Sequence, residues 1–113
     1  MWIMVSGPYT AGGADATQRA RNLRAMNEAA VALYRVGHVP VIGVNMALPM
    51  IEAATCDNSY DEIMMPVSLA LAERCDACLR IGGFSKGADD EMERFRCSGR
   101  PVFTRLEDVP PPS

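Results

Sequence analysis

Apolar positions along the chain follow two alternating patterns. Short apolar runs, typical of buried strands, begin at Trp2, Val39, Ala77 and Pro101. Between these runs, apolar residues recur every three or four positions, as they do on one face of a helix. Alternating strands and helices predict an α/β domain with a parallel sheet of four or five strands and right-handed crossovers. The connecting loops should gather at the carboxyl edge of the sheet.

The first helical segment has clear end signals. Asp15 or Thr17 can cap its start, and Gly37 marks its end. The second segment, residues 43–56, is ambiguous because Pro49 either interrupts one helix or separates two short turns. We expect a short helix there, lying over the ligand crevice.

The third helical segment follows a possible cap within residues 57–59, and Pro66 either kinks it or starts its second half. Its apolar stripe is predicted to comprise Ile63, Met64, Val67, Ala70 and Leu71. A last helix is predicted from Ser85 to near Gly99. Residues 106–113 form a proline-rich tail that we expect to bury little.

Length and charge restrict the class of partner. A chain of 113 residues is long enough for one domain, here residues 1–113, with a single ligand crevice. Eleven basic and fourteen acidic side chains, with no basic run, argue against a nucleic-acid polymer or an anionic membrane as partner. No apolar stretch approaches the ~20 residues of a membrane span. We therefore expect a cytoplasmic protein with a small-molecule ligand.

The cysteines and the single histidine do not predict a metal site. Cys75 and Cys78 have the spacing of a redox or zinc pair, but they enter a strand, and no second pair exists. Reduced structural thiols are the better interpretation, for these two and for Cys56 and Cys97. His38 follows a predicted helix end and is interpreted as a turn or rim residue.

Two glycine-rich loops follow predicted strands. Residues 6–13 follow the first strand and residues 81–87 follow the third. Loops of this kind form the ligand crevice of open α/β sheets, and glycines let the backbone approach a ligand closely. Neither loop has the sequence pattern of a P-loop or of a dinucleotide-binding motif. Two loops at the ends of adjacent strands nevertheless predict one shared site.

The second loop leads into a helix that carries four acids in its first turns. On a helix that begins near Ser85, Ala88, Met92 and Phe95 share the buried face, and Glu91 lies about 60° from its centre. We expect the other three acids, Asp89, Asp90 and Glu93, to point to solvent. Partial desolvation could tune Glu91 as a nucleophile or base. Equally, all four acids could simply favour the positive end of the helix dipole.

Together, several short motifs resemble the nucleoside 2-deoxyribosyltransferase-like superfamily, and most closely its small members, some of them grouped as a domain of unknown function. They are Val5-Ser6-Gly7-Pro8-Tyr9-Thr10, a helix end at Gly37, Cys75-Asp76-Ala77, Ser85-x-Gly87-x-x-x-Glu91 and Gly99-Arg100-Pro101-Val102. The resemblance implies a flavodoxin-like, Rossmann-like three-layer sandwich. It also implies cleavage or transfer of the N-glycosidic bond of nucleosides or their 5'-monophosphates, by a dimer or higher homo-oligomer.

The resemblance also implies roles for individual residues. Glu91 matches the nucleophilic glutamate, which would form a covalent glycosyl-enzyme without a metal or cofactor. Ser85 matches the serine that holds a 5'-phosphate, within the turn that contains Gly83 and Gly87. In the first loop, Ser6, Gly7 and Tyr9 match positions that line the sugar and base pocket.

One position departs from the superfamily pattern. Active members carry an aspartate on the helix before the third strand, where this chain has Ser68, and serine is no general acid near neutral pH. The substrate-binding C-terminal segment of some relatives also has no clear match in residues 109–113. A non-catalytic nucleotide-binding or sensing domain is therefore a rival hypothesis.

Two further alternatives remain. One is a phosphoribohydrolase of the kind that resembles a lysine decarboxylase. The glycine-rich turn of those enzymes is loosely similar to the segment from Gly82 to Glu91. The other is an α/β domain whose acids only solvate a helix.

Overall fold

A computed structural model describes residues 1–112 of the chain. Strands and helices alternate in the order β1 (Trp2–Ser6), α1 (Ala16–Val36), β2 (Val39–Val41), α2 (Gly43–Ala54), α3 (Ser59–Ala72), β3 (Ala77–Arg80), α4 (Lys86–Cys97) and β4 (Val102–Phe103). A short 3-10 turn, Leu106–Asp108, follows β4. No helix within residues 1–112 is both long enough and apolar enough to cross a membrane.

The four strands form one parallel sheet in the order β2-β1-β3-β4. Strands β1 and β3 occupy its centre, where Ser6 pairs with Arg80 at the carboxyl ends of both strands. After β1 the chain moves outward to β2, and it then returns across β1 to β3. The gap between β1 and β3 is therefore the topological switch point of the sheet.

Alternate residues of the central strands point to opposite layers of helices. Ile3, Val5, Ala77 and Leu79 pack with Met26 and Leu33 of α1 on one face. Met4 and Cys78 pack with Ala72 and Phe95, from α3 and α4, on the other face. Helices therefore cover both faces, which confirms the predicted three-layer α/β fold.

Helix ends follow the predicted signals in most places. The Asp15 side chain caps α1 by accepting a hydrogen bond from the amide of Gln18 at 2.8 Å, and Gly37 ends the helix with a φ of 113°. The helix predicted to start at Ser85 has its cap there and ends at Cys97, two residues before Gly99.

Two prolines lie inside continuous helices. Pro49 is within α2 and Pro66 is within α3, so residues 43–54 form one helix rather than two turns. The two helices pack closely on each other, and tertiary packing of this kind can offset the backbone hydrogen bond that a proline removes.

The buried stripe of α3 matches the predicted one only at Met64. Its fully buried residues are Ser59, Met64, Ser68 and Ala72, whereas Ile63, Val67 and Leu71 are half-buried and Ala70 is exposed. Hydrophobicity alone suggested the neighbouring stripe, because serines do not add to an apolar pattern. The consequence is that Ser68 faces the inside of the domain.

The C-terminal tail is mostly exposed, as predicted, because only Val109 is half-buried within residues 106–112, whereas His38 is more buried than predicted. Val109 packs against the α1 side of the core, and the carbonyl oxygen of Pro110 lies 2.8 Å from Nε2 of His38. His38 is 2% exposed, and its Nδ1 lies 2.9 Å from the amine of Met1. Of the two alternatives for His38, a turn residue or a rim residue, the rim residue was therefore wrong because the tail covers the ring, while His38 does directly follow the turn at Gly37.

Candidate active site

A cavity of about 380 Å³ opens at the carboxyl end of the central strands. Its walls come from the loop after β1, from the start of α2, from the inner face of α3 and from the first turns of α4. The lining residues are Gly7, Tyr9, Thr10, Ala11, Gly12, Val44, Tyr60, Met64, Met65, Ser68, Phe84, Ser85, Lys86, Gly87, Ala88 and Glu91. The cavity thus lies at the switch point, where open α/β sheets bind their ligands.

The two glycine-rich loops touch each other beside the cavity. A Cβ on Gly82 would lie 2.7 Å from Cδ of Pro8, and one on Gly7 would lie 3.1 Å from Cγ1 of Ile81. Gly82 also has a φ of 78°, which side-chain-bearing residues rarely adopt. Glycine at these positions allows the two loops to pack directly against each other beside the cavity.

Arg80, the last residue of β3, holds the second loop in place. Its guanidinium donates to the carbonyl oxygens of Ile81 and Gly83, the latter at 2.8 Å. It also forms an ion pair with Asp89 of α4 at 3.1 Å, and only 10% of its side chain is exposed. One charged side chain therefore links the loop to the helix that follows it.

The first turn of α4 faces the cavity. Oγ of Ser85 accepts a hydrogen bond from the amide of Ala88 at 3.2 Å, so the serine caps the helix. Ser85, Lys86 and Gly87 all line the cavity. The unpaired amides of a helix start attract negatively charged groups, which makes this wall suitable for an anion.

Glu91 lies one turn further along α4 and lines the cavity with only 8% of its surface exposed. Burial, the largest influence, raises the pKa of its carboxyl group from 4.5 to about 7. Hydrogen bonds from Ser6 and Ser68 and the charge of Arg80 lower the pKa, while the charge of Asp90 raises it. The result is a carboxyl group that changes charge near neutral pH.

The predicted site residues fall into two groups. Gly7, Tyr9, Ser85, Gly87 and Glu91 line the cavity.

Ser6 and Gly83 are outside the lining. Ser6 is 1% exposed and lies behind Glu91, to which it hydrogen bonds. Gly83 is exposed, and its carbonyl oxygen accepts from Arg80 instead.

The other three acids of α4 differ from one another. Glu93 is exposed, as the helical spacing predicted. Asp89 and Asp90 are half-buried and pair with Arg80 and Lys86 at 3.1 and 2.9 Å. The prediction that all three point to solvent therefore holds fully only for Glu93, because a basic residue lies beside each of the other two.

Two aromatic residues of the cavity were not predicted from the sequence. Tyr60 and Phe84 line it, and Phe84 is 81% exposed at its rim. An aromatic residue inside a glycine-rich turn was the available clue. Met64 and Met65 line the cavity, whereas Met46 and Met50 face outward.

The cysteines are all free thiols in the described part of the chain: Cys75 and Cys78 are buried, and Cys56 and Cys97 are exposed. Burial raises the pKa of both buried thiols to about 11. Residues 1–112 contain no group of three or more His, Cys, Asp or Glu side chains that could hold a metal ion.

The fold is similar to that of a 2-deoxyribosyltransferase of known structure. The solved structure of the 2-deoxyribosyltransferase from the psychrotolerant bacterium Bacillus psychrosaccharolyticus matches with a TM-score of 0.65 and 18% sequence identity. The match covers 90% of this chain and 69% of that enzyme. It supports the resemblance to the superfamily at the level of the fold.

The sequence itself places the chain in a family. The family described as "Domain of unknown function (DUF1937)" matches residues 1–107, so the chain belongs to it. No curated protein matches the sequence at a significant level.

Proposed function

We propose that this protein cleaves or transfers the N-glycosidic bond of a nucleoside or a nucleoside 5'-monophosphate, with Glu91 as the nucleophile. The observation that carries the proposal is the placement of Glu91. It is a buried carboxylate with a raised pKa, and it lines a cavity at the switch point of a deoxyribosyltransferase-like fold.

The cavity suits the parts of such a substrate. Its apolar side, with Tyr60, Met64 and Met65, can hold a planar base, because aromatic and thioether groups pack well on ring faces. The first turn of α4, with Ser85 and Gly87, offers donors for a sugar hydroxyl or a 5'-phosphate. Glu91 lies between these walls, where the sugar would bind.

The reaction follows from a single carboxylate nucleophile. An oxygen of ionised Glu91 attacks the anomeric carbon, and the electron pair of the C–N bond leaves with the base, which takes a proton from solvent. Water or the nitrogen of a second base then attacks the same carbon and loses a proton to solvent. This step releases the carboxylate and retains the configuration of the sugar. Because the pKa is about 7, a large fraction of Glu91 is ionised at neutral pH.

A second candidate function rests on Ser68. This residue is 1% exposed and lies beside Glu91, at the position where the superfamily pattern has an aspartate. A hydroxyl group there cannot protonate a departing base near neutral pH. The same cavity could therefore bind a nucleotide without turning it over.

Incubation of the pure protein with a panel of nucleosides tests both candidates. The panel contains deoxyribo- and ribonucleosides with each base, together with their 5'-monophosphates. Released base is quantified by chromatography, and mass spectrometry of the quenched protein detects a sugar attached to the peptide that contains Glu91. We expect base release with at least one substrate, and its loss in Glu91→Ala and Glu91→Gln variants.

The outcomes separate the candidates. Base release that persists in both Glu91 variants would overturn the role of Glu91. Saturable nucleotide binding without turnover, unchanged by Glu91→Gln, would support the binding domain instead. A preference for ribonucleoside monophosphates over deoxyribonucleoside monophosphates would favour the phosphoribohydrolase-like alternative. Glu93→Gln, a neutralised acid on the exposed side of the same helix, is the matched control.

A further inference from the structure

A buried thiol lies directly behind the candidate active site. Cys78 is in the middle of β3, is completely buried and faces the α3 and α4 layer together with Met4. Its Sγ donates a hydrogen bond to Oγ of Ser6, at 3.6 Å. Among the cysteines of residues 1–112, only Cys78 contacts Ser6, whose side chain hydrogen bonds to Glu91.

Ser6 connects this thiol to the carboxyl group of Glu91. Ser6 is 1% exposed, and the hydrogen bond from its hydroxyl group to Glu91 favours the ionised carboxylate. A serine hydroxyl has one proton to donate and lone pairs to accept with. When it accepts from Cys78, its own proton is free to point at the carboxylate. The three side chains thus form a chain of donors that runs from Cys78 through Ser6 to Glu91.

The thiol can act only as a donor while it keeps its proton. Burial, the largest influence, raises the pKa of Cys78 to about 11, so it stays protonated where Glu91 changes charge. Hydrogen bonds in a buried chain strengthen one another, because each polarises the next. A weak donor can therefore still direct the hydroxyl between it and the carboxylate.

We propose that Cys78 is a positioning residue whose thiol orients the Ser6 hydroxyl toward Glu91 and so fixes the carboxylate for attack. Its effect on turnover rests on the proposed function of Glu91. Its effect on the carboxyl group itself does not, because the hydrogen-bonded chain exists whether or not a substrate is turned over.

Cys75 provides a matched control for the packing of a buried thiol. It is 4% exposed and belongs to the same core cluster as Cys78. It forms no side-chain hydrogen bond to Ser6 or Glu91 in the described structure. A purely structural role would make Cys75→Ala and Cys78→Ala equivalent in their effect on Glu91.

The pKa of Glu91 is measured directly by NMR titration of its side-chain carboxyl carbon. The variants are Cys78→Ala, Cys78→Ser, Cys75→Ala, Ser6→Ala and the Ser6→Ala/Cys78→Ala double variant. Arg80 and Asp90, the charged neighbours that act on Glu91, stay unchanged throughout. We expect Cys78→Ala to raise the pKa, by less than Ser6→Ala does. Cys78→Ser, which keeps a donor, should stay close to the wild type, as should Cys75→Ala.

The double variant decides whether the thiol acts through Ser6. The proposal requires that Cys78→Ala has no further effect once Ser6 is alanine. Equal shifts in both backgrounds, equal shifts in Cys75→Ala and Cys78→Ala, or no shift in Cys78→Ala would each overturn it.

With a substrate in hand, Cys78→Ala should lower kcat about three- to tenfold with little change in KM, and Cys78→Ser should restore most of it. A change in KM alone would contradict the positioning role. If no substrate is found, the proposed function fails while the titration still tests the hydrogen-bonded chain.

Discussion

Ser68 on α3 packs directly against the backbone of Gly43 at the start of α2. A Cβ on residue 43 would lie only 2.8 Å from Cβ of Ser68, a separation that Cβ atoms essentially never show. Gly43 is itself buried, so the two helices could not move apart without opening the interior. Because the Ser68 hydroxyl also bonds to Glu91, the glycine holds open the space for one partner of the candidate nucleophile.

Gly43→Ala should therefore affect both the stability of the protein and the pKa of Glu91. We expect the free energy of unfolding to fall by about 1–3 kcal/mol, because the added methyl group forces α2 and α3 to shift. The pKa of Glu91 should rise as the Ser68 hydroxyl moves away from it. Urea denaturation and carboxyl NMR titration measure the two effects. Gly83→Ala is the control, because a Cβ there would meet nothing within 4 Å; equal effects in both variants would contradict the argument.

The raised pKa of Glu91 should make stability depend on pH. Its pKa is about 7 in the folded protein and 4.5 without the effects of folding, so only the folded state holds this proton between those values. The contribution of Glu91 to stability therefore falls as pH rises from about 4.5 to about 7, and is constant above. A pKa shift of this size corresponds to a change in the free energy of unfolding on the order of 3 kcal/mol.

Glu91→Gln removes this titration and keeps the shape of the side chain. The variant should gain stability relative to the wild type between pH 5 and pH 8, measured by urea denaturation at each pH. A difference between the two proteins that does not change with pH would contradict the raised pKa. Glu93→Gln, on the exposed side of α4, should show little pH-dependent difference.

Local sequence was sufficient to predict most of the fold. After the exposed Trp2, the first apolar run is buried on both faces of the parallel sheet, as is the run that begins at Ala77. Apolar runs of this kind can be recognised without tertiary information. Caps at Asp15 and Ser85 set helix starts through side-chain bonds to the next turn. The burial of His38 was missed because it depends on the tail, whose Pro110 carbonyl oxygen lies beside the ring.

The candidate site was predictable where the end of a strand or a single helix determined it, as for Gly7, Tyr9 and Glu91. The spacing around Glu91 placed it at the edge of the buried face of α4, and that position depends on α4 alone. The position of Ser68 beside it depends on how α3 is rotated, which the apolar pattern predicted incorrectly. Tyr60 and Phe84 reach the cavity from separate elements, so no local pattern could bring them together.

Arg80 should both restrict motion of the second glycine-rich loop and lower the pKa of Glu91. Arg80→Met removes the bonds to the Ile81 and Gly83 carbonyl oxygens and the ion pair with Asp89. We expect hydrogen exchange in residues 81–84 to speed up and the pKa of Glu91 to rise, because the guanidinium charge lowers it. Hydrogen-exchange mass spectrometry and NMR titration measure these changes.

Asp89→Asn separates the ion pair from the loop contacts. This variant keeps the hydrogen bonds from Arg80 to the carbonyl oxygens of Ile81 and Gly83. It removes only the negative charge of Asp89 at the start of α4. Its exchange in residues 81–84 should stay near that of the wild type. If Asp89→Asn loosens the loop as much as Arg80→Met does, the ion pair and not the carbonyl contacts holds the loop.

Phe84 should contribute to ligand binding and little to stability. Its side chain is 81% exposed at the rim of the cavity, so Phe84→Ala should leave the free energy of unfolding nearly unchanged. Stacking of a base on an aromatic ring is worth about 1–3 kcal/mol, so the dissociation constant for a nucleoside should rise about fivefold or more. Calorimetric titration in the Glu91→Gln background measures binding without turnover.

Tyr34→Ala is the control for a general loss of aromatic surface. Tyr34 is 71% exposed on α1 and does not line the cavity, so its removal should leave the dissociation constant unchanged. Equal weakening in the two variants, or none in Phe84→Ala, would show that the rim does not contact the base. A selective loss in Phe84→Ala would instead place the base between the second glycine loop and the start of α3, where Tyr60 lines the same cavity.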